Sequence, residues 1–494
     1  MLSVVDLRTG ATCPPDFNLA QHVLEENGAP DDKIALNILS LSGAERWSYG
    51  RLRSAVRGMS AGLKGAGLEP GDRLLMRVGH TPLFPIAFLA SAWCGILPVP
   101  TSEALTSDEI SAIAEAVDPS AVLFQKDIPL PRQSIPHIDV EKLSLDGAGA
   151  PPKTGDPNRP GYCLVTSGTS GAPRLVTHAH RAIWARHFMV VGWTALGPTD
   201  RILHAGALNW SYTLGTGLLD PWAQGATALV PQDGTPLEAL PLLAKRHDAT
   251  VLAGVPGVYR RLLRNPLPPL PRLRHALSAG EKLPDTIRTA WTDAMGTDIH
   301  EAFGQTECST FISGSPSRPA PPDTLGFAQL GRAIAIVENG APVGRGQIGE
   351  IAVASDDPGL AIDHARHESE WVGTGDLGIM NDDGAIRYLG RDDDILTAGG
   401  FRVSPLDIEK AYETHAGIDA MAAVDHHIDV NTRVIAAYYT GAEALAPSDL
   451  GAYGKERLAD HKVPRIFIHV DSLPYGNNGK LLRRALRTEK DTPS

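Results

Sequence analysis

The sequence predicts an α/β protein: a large N-terminal domain of stacked αβ subdomains carrying a small β subdomain, followed by a small α+β C-terminal domain. Three observations predict it. Apolar segments of helical period alternate with short strand-like runs almost as far as Gly326, the pattern of a largely parallel sheet covered by helices. Beyond Gly326 the segments shorten to Gly331-Arg332-Ala333-Ile334, Ala341-Pro342-Val343-Gly344 and Gly349-Glu350-Ile351-Ala352-Val353, short strands and turns of a β subdomain. The acidic run Arg391-Asp392-Asp393-Asp394 then marks a boundary, and the roughly 100 residues after it suffice for a compact domain. A chain of 494 residues is in any case too long for one core.

The elements follow in order. Leu52, Val56, Met59 and Leu63 recur at helical spacing, Gly65 and Gly67 stop that helix, and residues 72–78 form a strand. A helix over 85–93 leads to a short strand near Pro98. Thr106 and Glu109 make a capping box before Ile110 and Ile113, and Ala121-Val122-Leu123-Phe124 is a strand. The segment 147–160 reads as a polar Pro/Gly linker, and Tyr162-Cys163-Leu164-Val165-Thr166 as a buried strand. A second series then has strands at 201–204, 227–230, 250–252 and 272–277, with helices over 212–222, 237–245 and 255–263. Gly58-Met59-Ser60-Ala61-Gly62 matches the elbow of serine hydrolases, but that elbow must follow a strand. Here it lies inside an amphipathic helix and is rejected.

Composition narrows the function. Apolar residues make up 43% and charged residues 21%, and 45 basic against 57 acidic side chains leave a net charge of −12. That excludes nucleic acid or an anionic membrane as the main partner. Cys13, Cys94, Cys163 and Cys308 are far apart and form no CxxC pair, so neither structural zinc nor a disulfide framework is expected and a reducing cytoplasm fits. No signal peptide is visible. The most apolar window, 82–100, is broken by four prolines and reads as buried helix and strand rather than a membrane span.

Five patches carry chemistry. After Thr166, the turn Ser167-Gly168-Thr169-Ser170-Gly171 is small and rich in donors that suit phosphate oxygens, and Arg174 adds a forked cation. Its spacing is not that of a Walker A loop. Gly304-Gln305-Thr306-Glu307 offers a hydroxyl and a hard carboxylate suited to phosphate and Mg²⁺. Gly373-Thr374-Gly375-Asp376 places an acid after a tight turn, fit to accept two ribose hydroxyls. Gly390 to Asp394, with Ala398-Gly399-Gly400-Phe401-Arg402, offers an acidic hinge and a glycine pair. Tyr475-Gly476-Asn477-Asn478-Gly479-Lys480 ends in a lysine after an Asn-Gly turn. Taken singly, each is more often an ordinary surface turn.

In this order the set resembles the adenylate-forming superfamily of acyl-CoA synthetases, carrier-protein adenylation domains and luciferases. Within it, the motifs are most similar to the acetyl-, propionyl- and medium-chain acyl-CoA synthetases. The segments His204 to Trp210 and Asp220 to Thr227 look like their acyl-pocket helix, Gly280-Glu281 like an adenine contact, and Val403 to Glu409 like the start of their C-terminal domain. The resemblance implies an N-terminal AMP-binding domain over 1–390, a hinge at 391–394 and a mobile C-terminal lid over 395–494. It also implies a reaction: a carboxylic acid and ATP give acyl-AMP, and the acyl group then passes to CoA.

By motif position, Thr166, Ser167, Gly168, Thr169, Ser170, Gly171 and Arg174 would cradle the ATP phosphates. Gly280, Glu281, Gly304, Gln305 and Thr306 would contact AMP. Glu307 would hold Mg²⁺, Asp376 and Arg391 the ribose, and Lys480 would bridge the carboxylate and α-phosphate beside the catalytic pair Thr306 and Glu307. Asp393 matches the hinge acid, and Gly399, Gly400 and Arg402 the CoA contacts. The expected partners are thus a small carboxylic acid, ATP and CoA, with a homodimer left open. Three departures stand out: Pro173-Arg174 replaces Pro-Lys, Leu396-Thr397 lacks a common lysine, and Gly476 replaces a small polar residue.

Acetate-specific relatives close the pocket with Trp where this chain has Gly304, which implies an acid larger than propionate: medium-chain, branched or aromatic. Leu208, Trp210, Tyr212, Phe303 and Phe311 are the expected lining, although some of these are equally plain core. His204 is either a polar pocket group or a satisfied core histidine. The nearest rival is a stand-alone enzyme that loads an aryl or acyl acid onto a separate carrier protein. Residues 207–211 contain no acid to pair an amino group, and only fourteen residues follow Lys480, so an amino-acid substrate and an attached carrier are not expected.

Overall fold

The computed structural model describes residues 1–167, 173–364, 369–398, 401–427, 433–475 and 481–488. Of the expected site residues, Gly168, Thr169, Ser170, Gly171, Gly399, Gly400 and Lys480 lie outside the described residues, as do the side chains of Ser167 and Arg402.

The two αβ series build two sheets. The first series gives four parallel strands in the order Leu97–Pro100, Arg73–Arg77, Ala121–Phe124, His137–Asp139. The helix Tyr49–Gly65 buries Leu52, Val56, Met59 and Leu63 completely, which is the apolar stripe its spacing prescribes. Gly58 lies inside this helix, where a Cβ would meet the backbone of Asp146. The elbow-like glycine pattern thus admits the segment 143–147 across the helix. That segment and the rest of the linker are tied down, for the Trp93 indole donates to Ala150 and the Lys153 amide to the Trp93 carbonyl. The capping box at Thr106 and Glu109 closes at both ends, a device worth about 1 kcal/mol.

The second series builds a nine-stranded sheet. Its parallel centre runs Ile299–Gln305, His275–Ala279, Val251–Gly254, Arg201–His204, Thr227–Pro231, Ile34–Leu39. Antiparallel strands close both edges. The chain steps from 201–204 to one side and then returns to the other, so its winding reverses beside His204. In open α/β sheets, the crevice at the carboxyl ends of such strands is where ligands bind.

Three expectations change here. The apolar run 212–222 is a π-helical turn over Thr213–Leu219 followed by a short α-helix over Asp220–Ala223. The helix expected over 237–245 divides into a 3-10 turn and Leu240–Arg246. The strand expected over 272–277 is shifted to His275–Ala279.

The β subdomain is an antiparallel sheet ordered Val4–Asp6, Ala333–Glu338, Ile348–Ala354, Trp371–Met380, Ile386–Arg391. Its first strand comes from the far N-terminus. The strand Pro160–Ser167 pairs antiparallel with Pro173–Ala179 in a separate hairpin. The residues after 395 form a three-stranded sheet, Ala420–His427, Arg433–Thr440 and Ile466–His469, packed by Pro405–Tyr412 and Arg483–Thr488. Arg483 and Glu409 join those two helices through a 2.8 Å ion pair. This unit docks on the larger one through Arg387–Asp407 at 2.6 Å and Lys410–Asp323 at 2.8 Å.

Candidate functional site

The parallel strands ending at His204, Gly254, Ala279 and Gln305 open their carboxyl ends onto one cleft. The hairpin borders it with Thr166 and Arg174, the antiparallel sheet with Thr374 and Asp376, and the C-terminal unit with Tyr475 and Leu481. Patches separated by more than 300 residues in sequence thus meet in a single space.

Asp376 is held firmly. It is 3% exposed, and Gln305 donates to its carboxylate at 2.7 Å and to the Thr374 carbonyl at 2.5 Å. The Tyr388 hydroxyl donates to the other carboxylate oxygen at 2.8 Å, and burial pushes that phenol well above its ordinary pKa, so it stays a donor. Arg391 stands 4.0 Å from the same carboxylate. An ionised carboxylate has about four acceptor positions. Gln305 and Tyr388 each take one, and a carboxylate of this kind at the cleft wall suits vicinal hydroxyls.

Thr306 follows the strand that carries Gln305. Its carbonyl accepts from His178 Nε2 at 2.8 Å, and the His178 ring stacks on Tyr162 at 4.8 Å. Burial lowers His178 to about 4, so it is a neutral imidazole whose one N–H is committed to this bond. Glu307 stands 4.0 Å from Arg174, which also meets His364 at 2.9 Å. Thr166 in turn pairs with Arg174 in the hairpin register. Hydroxyl, carboxylate and guanidinium therefore share one side of the cleft.

Gly280 and Glu281 lie on the loop after Ala279. Behind that loop, Glu301, 1% exposed, binds Lys282 at 2.8 Å, Arg288 at 3.1 Å and the Leu283 amide at 2.8 Å, which fixes it. Glu281 accepts from the Leu481 amide at 3.1 Å, so the segment next to residue 480 reaches the cleft. Asp393 sits in a 3-10 turn over Asp392–Asp394 and its carbonyl accepts from Arg487.

A narrower pocket runs inward from Gly280, Gly304 and Thr306. Of the expected acyl-lining residues, Trp210, Tyr212 and Gly304 lie on it, while Phe303 lines the outer cleft. Leu208 and Phe311 do not: both are essentially fully buried in the hydrophobic cores. Apolar side chains look the same in a core and in a wall, so the sequence pattern could not separate them. His204 is also a core residue, 1% exposed, with Nδ1 accepting from the Gly206 amide and its ring edge-on to Tyr212. Burial depresses it to about 3. Gly304 also has a second reason to be glycine. A Cβ there would run into the Ser309 carbonyl and the Thr310 Cα, across the hairpin bulge at Phe303 and Gly304.

The polar part of this pocket was not foreseen, although Asp220 opens a segment that resembles a pocket helix. Arg186, 8% exposed, lies on its wall and forms a two-pronged ion pair with Asp220 at 2.6 and 2.7 Å. The same guanidinium donates to Thr216 at 3.2 Å and to the Ser309 hydroxyl. Tyr162 and Thr310 add further hydroxyls to the lining. The expected apolar pocket is therefore apolar on one part only.

A model of the family described as AMP-binding enzyme matches residues 24–360. Benzoate–CoA ligase from Thauera aromatica is 30% identical, over 99% of each chain. The mitochondrial acyl-coenzyme A synthetase ACSM5 of Mus musculus is 25% identical, over 97% of this chain and 91% of that one. Among solved structures, a benzoate CoA ligase from Burkholderia xenovorans LB400 superposes with a TM-score of 0.82 at 26% identity, covering 95% of this chain and all of the other.

Proposed function

The chain belongs to the AMP-binding enzyme family, and on that footing we propose that it is an AMP-forming acid:CoA ligase for an aromatic or medium-chain acid. The observation that carries this reading is the single cleft in which the fixed Asp376, the Thr306–Glu307 turn and an inward pocket adjoin. The kinship to benzoate–CoA ligase over nearly its whole length supports it.

The first half-reaction brings together two anions, a carboxylate and the α-phosphate of ATP. It needs alignment and charge neutralisation rather than a covalent enzyme nucleophile. In our reading the Asp376 carboxylate takes the ribose hydroxyls, with Gln305, Tyr388 and Arg391 holding it in place. Gly280 and Glu281 flank the adenine. Thr306 meets the α-phosphate, and His178 fixes its backbone. Arg174 and the hairpin turn meet the outer phosphates, and Lys480 neutralises the charge that gathers between acid and phosphate.

Mg²⁺ fits the residues present. It binds through one or two carboxylates plus phosphate oxygens, and Glu307 is a carboxylate on the cleft wall beside Arg174. Among the described residues no cluster of three or more His, Cys, Asp or Glu offers an all-protein cage. When bound, the ion neutralises phosphate charge. We assign the second half-reaction to rotation of the unit after Asp393, which brings Gly399, Gly400 and Arg402 to the thiol. Among the described residues no helix is long and apolar enough to cross a membrane, and four free cysteines suit a reducing cytoplasm.

The test is pyrophosphate release from MgATP over a panel of carboxylic acids, with and without CoA, and with products identified by mass. CoA-dependent turnover to an acyl-CoA is expected. Acid-dependent pyrophosphate exchange that yields no acyl-CoA would favour a carrier-protein acceptor.

A further inference from the structure

The inward pocket holds a polar device that activation of a plain hydrocarbon acid does not require. Arg186 comes from the segment after the hairpin, Thr216 from the π-helical turn, Asp220 from the start of the short helix that follows it, and Ser309 from an antiparallel strand. Three chain regions converge on one guanidinium. The turn is built to admit it, for a Cβ at Gly215 would strike the Arg186 nitrogens. Extra-wide helical turns of this kind recur at functional sites. Ser309 adds a second sign: it adopts a left-handed φ of 63°, a conformation that costs a non-glycine residue energy and clusters at ligand sites.

The donor count decides what this device can receive. A guanidinium has five N–H groups. Nε donates to Asp220, the two Nη2 protons serve Asp220 and Thr216, and one Nη1 proton goes to Ser309. The second Nη1 proton has no acceptor among the described residues. Burial alone would make Arg186 easier to deprotonate, but the adjacent Asp220 outweighs that and keeps it charged. Tyr162, 7% exposed and also on the pocket wall, has a hydroxyl without a hydrogen-bond partner among the described residues. Ser309 accepts from Arg186 and donates its own proton to Met189 Sδ at 3.8 Å, a weak acceptor that a ligand oxygen would displace. The wall therefore presents spare donors, while Asp220 already cancels the cationic charge. Such a wall complements a neutral oxygen acceptor better than a second carboxylate.

The distance is suitable. Thr306 and Ser309 are three residues apart, so their Cα atoms are separated by at most about 11 Å. An acid whose carboxylate meets Thr306 places its far ring substituents within reach of the guanidinium.

We propose that Arg186, held by Asp220 and Ser309, is a specificity-determining residue that receives a neutral oxygen substituent (phenolic hydroxyl, ether or carbonyl) on the ring of an aromatic acid. This rests on the acid:CoA ligase reading above. It is tested by kcat/KM for CoA thioester formation with benzoate and its ring-position series of hydroxy, methoxy, acetyl, methyl and carboxyl derivatives. The proteins are wild type, Arg186→Met/Asp220→Leu, which removes both buried charges together, and Ser309→Ala, which leaves the ion pair intact should the double variant fail to fold.

Wild type is expected to favour an oxygen substituent over methyl at one ring position by at least ~10-fold, because a site built to hydrogen-bond a group rejects the analogue that lacks it. The variants should compress that ratio toward one, with KM carrying most of the change. Which of hydroxy, methoxy and acetyl leads identifies the source of the oxygen. Equal or better turnover of the methyl acids at every position, a carboxyl derivative as the leading substrate, or a ratio that Ser309→Ala and the double variant both leave unmoved would overturn the proposal. Absence of thioester with every acid would instead remove the ligase reading on which it stands.

Discussion

The Leu481 amide donates to the Glu281 carboxylate at 3.1 Å, across 200 residues of chain. One partner belongs to the C-terminal unit and the other to the loop that follows a central strand of the large sheet. Their contact places the segment flanking residue 480 at the mouth of the cleft, the arrangement that adenylation requires if Lys480 supplies its cation.

Lys480→Ala should therefore abolish acid-dependent pyrophosphate release while sparing thioester formation from supplied acyl-AMP. The loss expected for a charge that strengthens in the transition state is about 10²- to 10³-fold. Equal loss in both half-reactions, measured separately by rapid quench, would remove the residue from that role.

The fixed carboxylate gives a second expectation. Asp376→Asn replaces an acceptor of Gln305 and Tyr388 with a group that must turn a donor toward one of them. Hydrogen bonds to a charged group contribute roughly 1.5–3 kcal/mol, so KM for ATP should rise about 10- to 100-fold, with a smaller rise for Tyr388→Phe. Initial-rate kinetics at saturating acid and CoA would check this, and an unchanged KM for ATP would show that the ribose is held elsewhere.

Gly304 separates two accounts of chain-length preference. A glycine that only opens the pocket would accept a larger residue and pass the selectivity to shorter acids. The backbone of Ser309 and Thr310 instead occupies the space its Cβ would need. Gly304→Ala is thus expected to lower thermal stability, by roughly 1–3 kcal/mol for an overpacked site, and to reduce activity on all acids together. A stable variant with a profile shifted toward acetate would restore the simpler account.

The docking of the two units should depend on pH through Glu413. Burial raises this carboxyl first, Asp285 beside it adds to the rise, and it reaches about 7 against Lys410 and Arg260, which oppose the shift. Glu409 adds to it more weakly. An acid whose pKa is raised in the docked state favours docking while it is protonated. Its contribution is therefore complete below its ordinary value of 4.5 and is lost as pH rises through 7. Small-angle scattering at pH 5.5 and 8.5 should show a larger undocked fraction at the higher pH, and Glu413→Gln should flatten the difference. A wild-type profile that does not change with pH would count against it.

The legible parts of the site were those whose chemistry is local in sequence. Gln305, Thr306 and Glu307 are consecutive, and Asp376 announces itself by the glycine turn before it, so the patches and their grouping into one cleft could be read in advance. Arg186 and Asp220 are 34 residues apart; Asp220 opens a segment that resembles a pocket helix, but Arg186 lies in no motif that would point to it. Only the π-helical turn brings them together, and an all-apolar run has no period from which that turn could be read. The bond from His178 to Thr306 spans 128 residues and was invisible for the same reason. Leu208 and Phe311 misled because hydrophobicity alone does not say on which side of a wall a residue lies. The alternation of helix and strand was legible because it repeats. The strand Val4–Asp6 was not, because its partner lies more than 300 residues away.

That first strand has a consequence for how the protein is made. Val4 pairs with Ala335 and Asp6 with Ala333, so the opening residues cannot reach their place until about two thirds of the chain has left the ribosome. At synthesis rates of about 5–20 residues per second the wait is roughly 15–65 s. Throughout it, a short β-prone segment is exposed, and when Ala333–Glu338 emerges its edge stays unpaired until the N-terminus returns. The nascent chain is thus held open at its beginning by a contact supplied late, and bulky N-terminal fusions would delay the closure of a sheet that carries Asp376.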